Sequence, residues 1–152
     1  MISLKLREKV ITGRTDWISK MLAGVRSLPL ESYEAFTENP TNIAAAESYL
    51  RRALEALLDL GRHTLAKGFG KAVPEYKLIS TELEKVEVLT AEAATTLRIL
   101  AGYRNRMVHF YHEISSKEIY EICVNEIGDV EKILHDILSW INKHPEMLDR
   151  AL

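Results

Sequence analysis

The sequence predicts an all-α protein, an antiparallel bundle of four or five helices. Apolar residues recur at helical spacing along most of the chain, and the alternation expected of half-buried strands is missing. The long segments are rich in Ala, Leu, Glu, Lys and Arg, which favour helix. Proline and glycine punctuate them at short intervals, and helices joined by short loops stack as antiparallel neighbours. No internal repeat, low-complexity tract or long linker divides the chain, so residues 1–152 read as a single helical domain.

The first helix is expected from about Ser3 to Ser27, with Leu4, Val10, Ile11, Trp17, Ile18, Met21, Leu22 and Val25 on its apolar face. Leu28-Pro29-Leu30 ends it, because the residue before proline is pushed out of helical geometry. A loop follows through Asn39. Asn39 then caps a second helix that opens on Pro40, runs to about Lys67 and stops at Gly68-Phe69-Gly70. A shorter helix follows Pro74 and ends near Leu89. Thr90 caps the fourth, from about Ala91 to Tyr111 or His112, with Glu92 favourably placed in its first turn. Ser115 and Glu118 form a capping box for a last helix that continues to about Lys143 and stops before Pro145. Gly128 inside it costs about 1 kcal/mol relative to alanine, which points to a close helix contact there.

Composition excludes several classes. A net charge of −2 is not that of a protein that coats nucleic acid, although it leaves room for a local basic patch. The single cysteine, Cys123, rules out an intrachain disulfide and fits a reducing cytoplasm; its apolar neighbours make it a buried small residue. Residues Met1 to Val10 carry Lys5, Arg7, Glu8 and Lys9 and do not read as a signal peptide. No run approaches the roughly 20 apolar residues of a membrane span. The expectation is a cytoplasmic protein without membrane contact. His63, His135 and His144 read as solvated, and Trp17 and Trp140 as anchors of the core or of a dimer.

The fourth helix stands apart in charge. Between Glu92 and Glu113 it has no acidic residue, while it carries Arg98, Arg104, Arg106, His109 and His112. Such a patch suits phosphate, to which arginine offers planar, bidentate donors. At about 100° per residue, Arg104 and Tyr111 lie almost in line, and Asn105 lies one turn from His109. Arg104 and His109 are roughly 140° apart, so a straight helix does not aim both at one point. A wide groove, a distorted helix end, or a second copy of the helix in a dimer would reconcile them. His109, His112 and Glu113 match neither H-E-x-x-H nor H-x-x-E-H, so no metal site is expected.

Arginine, a polar residue, three further positions and histidine make the R-x4-6-H signature of HEPN domains. With a tyrosine two places on, Arg104, Asn105, His109 and Tyr111 resemble the R-x4-H-x-Y motif of the HepT group of toxins. Tyr49-Leu50-Arg51-Arg52-Ala53-Leu54-Glu55 and Pro74-Glu75-Tyr76 are similar to that group's preceding helix and loop. The likeness spans roughly Asn42 to Tyr120. It implies a homodimer whose two motifs face across a cleft, and RNA cleavage without a metal or other cofactor. It also implies a cognate nucleotidyltransferase antitoxin of the MNT type, which attaches AMP to Tyr111. In that reading His109 moves the proton, Arg104 stabilises charge on phosphorus, Asn105 positions them, and Arg106 adds an RNA contact. Two other readings stay open. One is a non-catalytic HEPN module that binds a nucleotide or a nucleotidyltransferase partner. The other is a helical interaction domain without a ligand.

Overall fold

The computed structural model describes residues 5–150, with Tyr111 described by its backbone alone. The expected all-α bundle is there, carried by four long helices: α1 (Glu8–Arg26), α3 (Pro40–Phe69), α5 (Ala91–His109) and α7 (Ile127–Asn142). Three shorter ones fill in: α2 (Tyr33–Thr37), α4 (Tyr76–Lys85) and α6 (Ser116–Asn125). The 30-residue α3 is the centre, packed by α1, α4, α5, α6 and α7. Its ends follow local chemistry. The Asn39 side chain accepts the Thr41 N–H at 3.0 Å, Pro40 opens the first turn, and Gly70 closes the helix in the left-handed conformation at φ 66°.

α1 and α3 run antiparallel, since Gly24 near the end of α1 meets Tyr49 early in α3, while Arg7 before α1 meets His63 late in α3. Gly24 is small for a reason: a Cβ there would lie 2.6 Å from the Tyr49 ring. Gly61 likewise lets α4 approach α3, for its Cβ would lie 2.9 Å from Ile79. Gly128 has no such role, because a Cβ there would meet nothing within 4 Å. The expected close contact thus belongs to Gly24 and Gly61. The buried side chains form one cluster from Leu6 to Ile141, with Cys123 inside it as expected and burial pushing its thiol up to about 12.

Several expected boundaries move. The first helix begins at Glu8. Ser3, where it was expected to begin, lies outside the described residues. Leu6–Arg7 instead forms β1, which pairs in parallel with β2, Leu148–Asp149. The loop before Asn39 contains α2, a single short helix capped by Ser32 and fixed by the fully buried Phe36. Five residues are too few to show a hydrophobic period, so it is invisible in the pattern. The last helix is two helices that meet at Glu126, and α5 ends at His109 rather than at Tyr111 or His112. Trp140 packs against Phe69 and His144, but Trp17 is 36% exposed and is no part of this core.

Two histidines expected to be solvated are engaged. His144 stacks on Trp140, and the Nε2 of half-buried His63 accepts the Arg7 N–H at 3.0 Å. Burial, then the nearby Lys67, Arg7 and Arg14, lower the His63 pKa to about 4. An unfolded chain protonates that imidazole near 6.5, so between 6.5 and 4 the unfolded state binds more protons. The contribution of His63 is therefore complete above pH 6.5 and is lost as the pH falls towards 4. Denaturation midpoints should decline between pH 6.5 and about 5, and His63→Gln should flatten that decline. An equal slope in both proteins would show that other groups set it.

Candidate functional site at the α3–α4–α5 cleft

The cleft is an open hollow of about 450 Å³ lined by Arg62, Pro74, Glu75, Tyr76, Lys77, Arg104, Asn105 and His109. It lies where the polar face of α3 meets the start of α4 and the last turns of α5. Arg51, Glu55, Asp59 and Arg62 recur three or four residues apart and so share one face of α3. That face takes part in the site instead of facing bulk water.

Arg104 is the most enclosed charge, with only 17% of its side chain exposed. Its Nη2 donates to Glu55 Oε2 at 3.0 Å and its Nη1 to Asn105 Oδ1 at 3.2 Å. Its Nε is buried and has no hydrogen-bond partner among the described residues. The guanidinium also lies over the Tyr76 ring, 4.6 Å from its centroid. Glu55 is itself braced by Arg51 at 2.7 Å, so its carboxylate is held from two sides.

Tyr76 is fixed just as firmly. Its hydroxyl donates to Asp59 Oδ1 at 2.8 Å, and the Arg62 guanidinium lies over its ring, also at 4.6 Å. Arg62 donates to the carbonyls of Val73 and Pro74 at 3.1 and 2.9 Å, which clips the loop before α4 onto α3. Burial, then the bond to Asp59, push the Tyr76 phenol up to about 12. It remains a protonated donor at neutral pH and cannot serve as a base.

Of the residues expected in the site, the structure brings Arg104, Asn105 and His109 to one cleft. The wide groove reconciles their directions. Arg104 turns inward to α3 and α4, exposed His109 stands at the rim, and Asn105 lies between them around the axis. Arg106 does not line the cleft. It faces α6 and is gripped bidentately by Glu118, with Nη1–Oε2 at 2.6 Å and Nη2–Oε1 at 2.8 Å. Tyr111 opens a 3-10 turn, Tyr111–Glu113, just past the helix end. The expected alignment with Arg104 along one helix therefore does not hold, and the tyrosine side chain lies outside the described residues. Glu55, Arg62, Tyr76 and Lys77 were not singled out individually; the polar i, i+4 run on α3 was the signal for the first two. Among the described residues, no group of three or more His, Cys, Asp or Glu is arranged to hold a metal ion.

Residues 18–137 match the ribonuclease HepT-like family. The chain belongs to that family. A tRNA nuclease HepT from Aphanizomenon flos-aquae (strain 2012/KM1/D3) is 26% identical over 112 residues, covering 73% of this chain and 76% of the relative. The fold of this HepT-like chain is also that of known structures. A tri-AMPylated Shewanella oneidensis HEPN toxin, in complex with MNT antitoxin, superposes with a TM-score of 0.77 at 18% identity, covering 86% of this chain and 97% of that one. The cytosolic protein YutE from Bacillus subtilis superposes with a TM-score of 0.76 at 18% identity, covering 92% and 94%.

The placement of Arg106 gives a direct test. Arg106→Ala removes the clasp between α5 and α6, so it should lower the thermal midpoint. The same variant tests the RNA contact expected of Arg106 from the sequence: with the cleft as the binding surface, RNA affinity should be unchanged. A large loss of RNA affinity without loss of stability would return Arg106 to the binding surface.

Proposed function

We propose that this chain is a toxin-type endoribonuclease that cuts RNA at the Arg104–His109 cleft without a metal ion. The observation that carries this reading is the meeting of Arg104, Asn105 and His109 on one basic hollow, in a chain of the HepT-like family. Imidazole is the side chain suited to proton transfer near neutral pH. His109 takes the proton from a ribose 2′-OH, the 2′ oxygen bonds to the adjacent phosphorus, and the P–O5′ bond breaks. The departing 5′ oxygen takes a proton from water or from a second imidazole. Arg104, aimed by Glu55 and Asn105, stabilises the extra negative charge on the phosphoryl oxygens. Lys77 at the rim adds a second cation.

A homodimer would supply that second imidazole. The outward face of α5 supports one: Ile99 is exposed there beside Gly102, where a Cβ would meet nothing within 4 Å, and exposed Phe110 follows the helix end. Burial of those side chains across a two-fold axis would set two clefts side by side. His109→Ala and Arg104→Ala should each reduce cleavage at least about 100-fold. Circular dichroism and dimer mass should stay the same in His109→Ala, while Arg104→Ala, which also loses the Glu55 anchor, should melt at a lower temperature. Cleavage should persist in EDTA. Full activity of His109→Ala, or complete loss on chelation, would overturn the mechanism.

Tyr111 is the proposed control point, modified with AMP by a nucleotidyltransferase partner. The reading draws on the family and on the AMPylated Shewanella toxin bound to its antitoxin. Tyr111 follows His109 by two residues and lies in the 3-10 turn at the mouth of the motif helix. A phosphate joined to its oxygen would add negative charge beside the arginines meant for RNA. Intact mass after incubation with the partner enzyme and ATP should rise by one or more AMP units, and Tyr111→Phe should gain fewer or none. Equal gains on both proteins would move the modification elsewhere.

A further inference from the structure

Outside the cleft, α1 carries a second basic surface. Lys9, Val10, Gly13, Arg14 and Trp17 line a hollow of about 340 Å³ that contains no acidic side chain. Gly13 faces open space in it, where a Cβ would meet nothing within 4 Å. Trp17 forms one wall, 36% exposed, with the Lys20 ammonium 5.8 Å from its ring centroid. The buried face of α1 is Ile11, Ile18, Met21, Leu22 and Val25, so the indole is not required by the core. A large exposed aromatic among cations is the arrangement by which single-stranded nucleic acid is held: bases stack on the ring and phosphates pair with the cations.

The helix that carries this surface packs on α3, which also walls the cleft. Arg62 lines the cleft, and the next residue, His63, accepts the Arg7 N–H at 3.0 Å. The depressed pKa of His63 registers Lys67, Arg7 and Arg14 around that same turn of α3. Arg7, Arg14 and Lys67 are therefore gathered near His63. Of the acidic residues beside them, Glu8 is engaged by Arg150 at 3.5 Å, and exposed Asp16 leaves Lys9, Arg14 and Lys20 in excess.

We infer that the Trp17 hollow on α1 is a second RNA-binding site, which stacks an unpaired base on the indole and holds the flanking phosphates with Arg14 and Lys9. The choice of RNA as ligand rests on the nuclease reading of the cleft. The site gives the enzyme a preference for single-stranded segments several nucleotides long, because a dinucleotide in the cleft cannot also reach α1.

The test uses full-length protein carrying His109→Ala, so that RNA is bound and not cut, and a fluorescein-labelled single-stranded oligoadenylate of a dozen nucleotides. Trp17→Ala and Arg14→Glu should each weaken binding about tenfold, the scale of one lost stacked base or phosphate contact. With Trp140→Phe added, the remaining indole emission comes from Trp17 and should be quenched by the oligomer. In the active protein, the preference for the oligomer over a dinucleotide should fall by a similar factor on Trp17→Ala. Unchanged oligomer affinity in both variants, or unquenched Trp17, would overturn the site. So would loss of nucleotidyltransferase binding on Trp17→Ala with RNA affinity intact, which would make the face a protein interface. If the active protein cuts no RNA, the nuclease reading fails, while quenching and affinity still decide this proposal by themselves.

Discussion

An arginine withdrawn from water needs both a counter-charge and a surface for its flat faces. Arg104 finds the first in Glu55 and the second in Tyr76, residues supplied by two different helices. That meeting fixes the end of α5 against α3 and α4, and the cleft is the space left beside it. The supporting contacts point the same way. Arg51 steadies Glu55, Asp59 holds the Tyr76 hydroxyl, and Arg62 clips the preceding loop. A guanidinium so constrained loses little rotational freedom when an anion arrives, which is how a rigid wall favours binding.

The same pairing explains how a chain of net charge −2 can present a basic hollow. Arg104 and Arg62 are partly neutralised by Glu55 and Asp59 behind them. What faces outward is the donor-rich edge of the cleft together with Lys77 and His109, against Glu75 alone. The positive charge of the cleft is thus local, set among carboxylates that balance it. Such an arrangement favours selective contact over indiscriminate coating of polyanions.

Features governed by local chemistry were legible in the sequence. The Asn39-Pro40 start and Gly70 stop of α3, the Thr90 cap of α5 and the Ser115 cap of α6 each follow from one or two residues. Features governed by distant contacts were not. Glu55 reaches Arg104 across 49 positions, and nothing near either residue announces the pair. The division between α6 and α7 falls at Glu126; Gly128, two residues on, reads as a glycine inside one helix because the hydrophobic pattern runs through the joint. The end of α5 at His109 was hidden for the same reason, and it changes where Tyr111 sits. The Arg104–Asn105–His109 motif was readable, but the cleft its residues line, with walls from α3 and α4, was not.

The pairing of β1 with β2 has a mechanical consequence. Because Leu6–Arg7 and Leu148–Asp149 run parallel, tension applied between the two flanks of the fold pulls the strands in opposite directions along their length. The ladder is then loaded in shear, with its hydrogen bonds strained together instead of parted one after another as in a zipper. With two residues on each side the clasp is short, and the Arg7 amide is also held by His63. When it slips, the load passes to α1 at one flank and, through the 3-10 turn Pro145–Met147, to α7 at the other.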